Sequence, residues 1–186
     1  MAFADINKEK YIIQLFRHGD AMAMDELYNY YSGYLTGVCS RYITDDDVKD
    51  VLQESFIKIF TKICDFDYRG SGSLKAWLTR VVVNEALNYL RHKSSTSFIN
   101  ADSNLPDVAD STDVDVSSIS ESTLVEMIQQ LPPGYRSVFN LYVMEEYSHN
   151  EIAKILGIKP ATSASQFHRA RLMMERMVKE YQNKNR

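Results

Sequence analysis

Cysteine is scarce: Cys39 and Cys64 are the only two in 186 residues. Neither belongs to a CxxC pair or a Cys/His set at ligand spacing, which argues against a disulfide framework and a structural zinc site. Long apolar runs are missing too. Those present, such as Val81 to Val83, fall far short of the roughly 20 residues a bilayer requires, and MAFADINKEK at the N-terminus has no signal-peptide core. A reduced, cytoplasmic protein with no metal site and no membrane insertion is expected. No nucleophile–base set or phosphate-binding loop can be found, so no catalytic residue and no cofactor are assigned. Positive charge is also short, with a net charge of −4. Residues 1–97 carry 12 Lys/Arg against 13 Asp/Glu, residues 98–120 none against 5, and residues 121–186 carry 9 against 7. Phosphate neutralisation supplies most non-specific affinity for DNA, so a chain with this balance holds DNA weakly by itself and needs a larger basic partner to hold it usefully.

What is present is helical periodicity. A hydrophobic content of 45% suffices for one ordinary core or two small ones. Ile6 to His18 reads as an amphipathic helix (Tyr11, Ile12, Leu15, Phe16) stopped at Gly19. Asp20 can cap the next, which runs to about Tyr42 with Met24, Leu27, Tyr28, Tyr31, Leu35 and Val38 on one stripe. That tyrosine-rich face is expected to be core. Thr44 followed by Asp45, Asp46 and Asp47 marks a further helix start, because a hydroxyl cap and carboxylates complement the helix dipole.

The helix so opened buries Val48, Val51 or Leu52, Phe56, Ile59, Phe60 and Ile63, and gathers Asp50, Gln53, Glu54 and Ile57 on another face. No histidine or third acid stands at ligand spacing, so a protein-docking face is favoured over a metal or acid–base site. The loop Asp65 to Ser73 mixes aromatic, basic and glycine residues, which suits a splayed base held by stacking. In the helix that follows, Leu74, Leu78, Val82, Ala86 and Tyr89 point to the core. Trp77, Arg80, Asn84, Asn88 and Arg91 form a second stripe, extended by His92 and Lys93. Aromatic, amide and basic groups in one row suit single-stranded DNA, the lesser alternative being that Trp77 is core.

From Ser94 to about Ser120 no helix or strand pattern holds, and the acidic stretch reads as an extended linker. Leu124, Met127, Ile128 and Leu131 then make a short helix ending before Pro132, and Tyr135, Val138, Phe139, Leu141, Tyr142 and Val143 form another. The stretch Tyr147 to Arg171 spells two helices at a fixed turn. Ser148 and Glu151 make a capping box, Gly157 supplies a left-handed stop, and Pro160 opens the next helix. Phe167, Ala170, Met174, Met177 and Tyr181 recur at steps of three and four, leaving Thr162, Ser163, Gln166, His168, Arg169 and Arg171 largely to other faces. This is a helix-turn-helix pattern, which places a short polar helix for entry into a DNA major groove.

The order of these pieces resembles the extracytoplasmic-function (ECF, group 4) sigma factors, the small two-domain promoter-specificity subunits of bacterial RNA polymerase. Asp50 to Phe56 is similar to the family's D-x-x-Q-E-x-F segment. Trp77 to Asn84 with Asn88 to Arg91 resembles the helix that reads the downstream promoter element. Leu131-Pro132 with Tyr135, Arg136 and Phe139 looks like the opening of the second domain, and Ser148 to Arg171 like its helix-turn-helix.

The resemblance implies an all-α fold: two small helical domains, residues 1–97 and 121–186, joined by a flexible acidic linker, 98–120, with the second domain ending in the helix-turn-helix. It implies a non-enzymatic factor that binds core RNA polymerase and directs it to promoter DNA, reading the minus-ten element as single strand and the minus-thirty-five element as duplex. An anti-sigma factor is an implied partner. The polymerase-binding set is Asp47, Asp50, Gln53, Glu54 and Ile57. The downstream-element set is Tyr68, Arg69, Ser71, Lys75, Trp77, Arg80, Asn84, Asn88, Arg91 and Lys93, with Asn84 and the loop Arg69 to Ser73 matching positions that capture a flipped base. The upstream set is Ser148, Thr162, Ser163, Ala164, Gln166, His168, Arg169 and Arg171. Where family members often carry Gly, Lys and Arg on the recognition helix, this chain has Ala161, Ser163, Ala164 and Gln166, which implies fewer phosphate contacts and a different upstream base preference. The linker resembles the family segment that threads toward the RNA exit path, and a plain solvated spacer is the other reading. The alternative functions are a free-standing helix-turn-helix regulator, for which no dimerisation domain is visible, and a helical interaction adaptor, which leaves the Trp77 to Arg91 stripe unexplained.

Overall fold

A computed structural model describes residues 2–93, 117 and 119–184, with side chains from residue 8 onward except at 45. The segment read as the acidic linker, 98–120, lies outside the described residues apart from Ser117, Ile119 and Ser120. The described residues form helices and turns only. The chain divides into two compact units, Met1–Tyr89 and Leu90–Arg186.

The first unit is built from α1 (Ala2–Arg17), α2 (Ala23–Ser40), α3 (Asp45–Lys62), a 3-10 turn (Ile63–Asp65) and α4, which runs from Ser73 to Lys93. Gly19, at a φ of +66°, turns the chain after α1, and Asp20 Oδ1 accepts from Met22 N at 2.8 Å ahead of α2. Buried residues at steps of three and four from each helix make the core: Ile12 and Ile13, Leu27, Leu35 and Val38, Val51 and Ile59, Leu74, Leu78 and Val82. Burying side chains of this size contributes about 1.5–3 kcal/mol each, which makes this apolar seam the main stabilising element of the unit. Rings of Phe16, Phe56 and Phe60 line the α1–α3 contact, and ion pairs Lys8–Glu26 and Lys58–Glu85 tie α1 to α2 and α3 to α4. Thr44 takes the extended N-cap conformation before α3, but its hydroxyl makes no cap bond.

The stripe expected as the core face of α2 is buried at Leu27, Tyr31, Leu35 and Val38 but not at Met24 and Tyr28. Tyr31 is buried at 4% exposure, whereas Tyr28 is 51% exposed and Met24, Tyr30 and Tyr34 are also exposed. The helix is apolar around more than one face, and the stripe through Ala23, Leu27, Tyr31, Leu35 and Val38 is the one that packs inward. The displaced phenols keep their hydroxyls near water and polar partners, as with Tyr34 OH, 3.0 Å from Thr79 Oγ1.

The second unit contains α5 (Glu121–Gln129), α6 (Pro133–Val143), α7 (His149–Leu156) and α8 (Pro160–Lys184). Ser120 caps α5 by accepting from Thr123 N at 3.2 Å, and Pro133 starts α6, where its lost N–H would have no helical partner. Met127, Ile128, Leu131, Tyr135, Ala170, Met174 and Val178 form the core, joined by Ile119, which the sequence pattern had left in the linker. Arg136 is buried there and donates through Nη1 to Gln129 O at 2.9 Å; desolvation pushes its pKa down. No described helix is long and apolar enough to cross a membrane.

Candidate nucleic-acid interface

Helix α4 shows two distinct faces. Leu74, Leu78, Val82 and Ala86 are fully buried, while Lys75, Arg80, Asn84, Arg91 and Lys93 are exposed and Asn88 is half-buried. Trp77 is also half-buried, tilted against Phe66 with ring centroids 5.2 Å apart, so it braces the loop before α4 as well as edging the polar stripe. Lys75 Nζ sits 4.2 Å from the Tyr34 ring centroid, a cation–π contact that holds the charge beside α2.

The loop before α4 turns through Gly70 and Gly72, at φ of +125° and +82°, backbone that only glycine adopts readily. Ser73 Oγ donates to Gly70 O at 2.6 Å and accepts from Arg69 N at 3.3 Å, closing the loop on the first turn of the helix. Ser71 and Arg69 are exposed, and Arg69 Nε reaches Asp67 Oδ2 at 3.3 Å in a solvated pair of little energetic weight. Tyr68 is half-buried with its hydroxyl inside and no hydrogen-bond partner among the described residues.

On α3, Asp50, Gln53, Glu54 and Ile57 are all exposed, Ile57 at 48%, and Asp47 is half-buried beside the cap. This face borders a groove of about 660 Å³ between α2 and α3, lined by Tyr28, Val48, Leu52, Gln53, Phe56 and Ile57. An exposed isoleucine at the edge of an apolar groove, with Asp50 and Glu54 exposed on the same helix and Lys49 in the groove wall, suits a protein partner that brings apolar and charged groups together.

In the second unit both ends of α7 are closed as the sequence predicts. Glu151 N donates to Ser148 Oγ at 3.4 Å, and Ser148 N donates to Glu151 Oε2 at 2.9 Å, a complete capping box. The Ser148 side-chain and backbone hydrogen bonds hold the Glu151 carboxyl below its ordinary range. Gly157 ends α7 in the left-handed region at φ +68°, ψ +34°. Behind the turn, Tyr142 stacks on His149 with centroids 4.7 Å apart and meets Phe167 at 4.3 Å, which pins α6, α7 and α8 together.

Two of the upstream candidates face inward. Ser163 is 0% exposed, 3.0 Å from His149 Nδ1, and Gln166 is 3% exposed. They continue the buried row through Ala170 and Met174. Neither side chain can reach DNA from that position. Arg169 is half-buried with Nη1 3.2 Å from Tyr135 OH, so it braces α8 on α6, and Arg171 Nε lies 3.3 Å from Glu175 Oε1. The outward row at the start of α8 is instead Ala161, Ala164, Ser165 and His168, with Thr162 half-buried beside it; the sequence pattern had not singled out Ser165.

Family comparison decides between the readings. The model of sigma-70 region 2 matches residues 27–96 and that of sigma-70 region 4 matches residues 122–174. The chain is 32% identical over 178 residues to the ECF RNA polymerase sigma-E factor of Haemophilus influenzae, covering 90% of this chain and 93% of that one. It belongs to the ECF sigma factors. The sigma-E factor of Escherichia coli K12 is 28% identical over 181 residues, and the RNA polymerase sigma-H factor of Pseudomonas aeruginosa 26% over 183 residues, with 94% of each relative covered and 91% and 92% of this chain. A solved structure of CnrH in complex with the cytosolic domain of CnrY aligns with 93% of this chain and 98% of that one at 19% identity and a TM-score of 0.49. As a sigma factor the protein binds DNA and directs promoter-specific initiation of transcription, within a family of non-catalytic initiation factors. The region 2 match contains most of α2 and all of α3 and α4, and the region 4 match contains α6 and α7 together with the first part of α8.

Proposed function

We propose that this sigma factor reads a two-part promoter with two separate surfaces while a third holds core RNA polymerase. The loop Arg69 to Ser73 and the stripe Arg80, Asn84, Asn88 and Arg91 of α4 take the non-template strand of the minus-ten element as single strand. The outward row of α8, with the capped start of α7, reads the minus-thirty-five element in the major groove. The α3 face of Asp50, Gln53, Glu54 and Ile57 docks on the polymerase, and an anti-sigma factor competes for the same face and its groove. Residues 98–120 serve as the acidic connection between domains 1–97 and 121–186, and the protein works in the cytoplasm.

The observation that carries this assignment is the division of α4: one face wholly buried, the opposite one an exposed row of amide and basic groups that starts at a glycine-bearing loop. Extruding a base costs a few kcal/mol of stacking, and a surface prepared to hold it offsets that cost. On α8 the outward row has a histidine but no lysine or arginine before Arg169, which supports weak duplex binding by the free chain. Gel-shift assays on a cognate promoter fragment test this at physiological salt. Weak binding alone and a large gain with core polymerase are expected; tight, sequence-specific binding by the free chain would overturn the reading of α8 as a weak duplex reader that depends on the polymerase.

A further inference from the structure

Helix α4 begins without a cap of its own. Ala76 N donates to Gly72 O at 2.9 Å, which makes Gly72 the residue that should supply a capping side chain, and glycine has none. The acceptor comes from 63 residues earlier. Glu9, on α1 and only 3% exposed, accepts from Gly72 N through Oε2 at 3.0 Å and from Lys75 N through Oε1 at 3.2 Å. Tyr31 OH on α2 donates to the same Oε1 at 3.3 Å. A carboxylate at this place satisfies amides that the helix leaves without partners and complements the positive end of its dipole. The region 2 match starts at residue 27, so Glu9 lies outside it.

We propose that Glu9 is a positioning residue for promoter opening: its carboxylate latches the loop Arg69 to Ser73 and the first turn of α4 in the conformation that receives an unpaired base. The proposal rests on the assignment of α4 to the downstream element. Glu9 touches no DNA. It acts by holding Gly72 and Lys75, between which Ser73 closes the loop onto Gly70 and Arg69. Without the latch the receptive conformation is only a fraction of the population, and the apparent equilibrium constant for strand opening is multiplied by that fraction.

Three measurements on the full chain test this. Glu9→Gln keeps the volume but turns an amide N–H₂ toward a backbone donor, while Glu9→Ala removes every acceptor. Ile13→Val, a change in the buried face of the same helix, serves as a destabilised control with the latch intact. Hydrogen exchange at the Gly72 and Lys75 amides should accelerate at least about tenfold in both Glu9 variants relative to the control. Acrylamide quenching of Trp77, the sole tryptophan, should rise with it. In reconstituted holoenzyme, permanganate footprinting should show strand opening reduced about three- to tenfold with closed-complex binding within about twofold. Undiminished protection of the two amides, or an equal opening defect in Ile13→Val, would overturn the proposal. Asn84→Ala, measured alongside, separates the two assignments. A defect for Asn84→Ala and none for Glu9→Ala sinks the latch alone. No defect for Asn84→Ala removes the role given to α4, and the amide exchange then decides whether the latch exists.

Discussion

Replacing Asn84 with Ala tests the strand-opening surface at a single side chain. Asn84 is exposed in the middle of α4, and its neighbours on the buried side, Val83 and Ala86, are packed independently of it. Truncation should therefore alter folding stability by less than about 0.5 kcal/mol, the usual range for surface positions. A side-chain amide can make two hydrogen bonds to a base edge, and at roughly 0.5–1.5 kcal/mol each their loss weakens opening by about 1–3 kcal/mol. That corresponds to about a 5- to 140-fold fall in the opening equilibrium. Permanganate reactivity reports opening and filter binding reports the closed complex on the same promoter, so the loss should appear in the first and not the second. A premelted bubble template removes the cost of separating the strands and should restore much of the activity. Equal loss in both steps, or no rescue by the bubble, would refute Asn84 as the group that captures an unpaired base.

Other surfaces give further expectations. Ile57→Asp adds a fourth carboxylate to the α3 face and should lower core-polymerase affinity about tenfold or more in a competition assay, with an unchanged melting temperature. The Glu151 carboxyl is held below its ordinary value of 4.5, so its ionised form favours the folded state. Its contribution is fully present above that value and is lost as pH falls through the lower folded-state value. The stability gap between wild type and Glu151→Gln in thermal melts should therefore be present at pH 7 and close below about pH 4.5. Burial pushes the Cys39 thiol up to about 12, whereas Cys64 is exposed. A thiol reagent at pH 8 should label one cysteine per native chain and the second only after denaturation.

The sequence made much of the fold legible because its helices carry explicit boundary chemistry. Ser148, Glu151, Gly157 and Pro160 mark their turn so fully that the capping box and the left-handed stop appear where the pattern puts them. Leu74, Leu78, Val82 and Ala86 likewise leave α4 no choice of inward face. Periodicity failed where a helix offers two apolar faces, as in α2. Tyrosine satisfies an apolar stripe in the sequence yet lies comfortably at a wet surface, so Tyr28 gave no sign of its exposure. It failed again where polarity was taken for exposure: Ser163 and Gln166 are small or flexible enough to sit at a close helix crossing, where burial is set by geometry rather than hydropathy. Glu9 was missed for the converse reason. It stands on the same stripe as Ile12 and Ile13, and a carboxylate on a buried stripe implies a distant donor, which only the folded chain identifies as Gly72 and Lys75.

The placement of Ser163, His149, Tyr142 and Phe167 bears on how such a protein can acquire a new set of target genes. These side chains fix the angle between α7 and α8 from behind, while Ala161, Ala164, Ser165 and His168 stand exposed in front, where Ser165 Oγ donates to Thr162 O at 3.0 Å within the same helix. On the proposed reading of α8, base preference and architecture thus fall to different residues of one helix. Substitutions along the front row can retarget the upstream reading while altering stability by no more than about 0.5 kcal/mol each. A duplicated copy of the gene could therefore drift to another promoter class through a series of folded intermediates, whereas a single change at His149 or Phe167 would tilt the whole reading head at once.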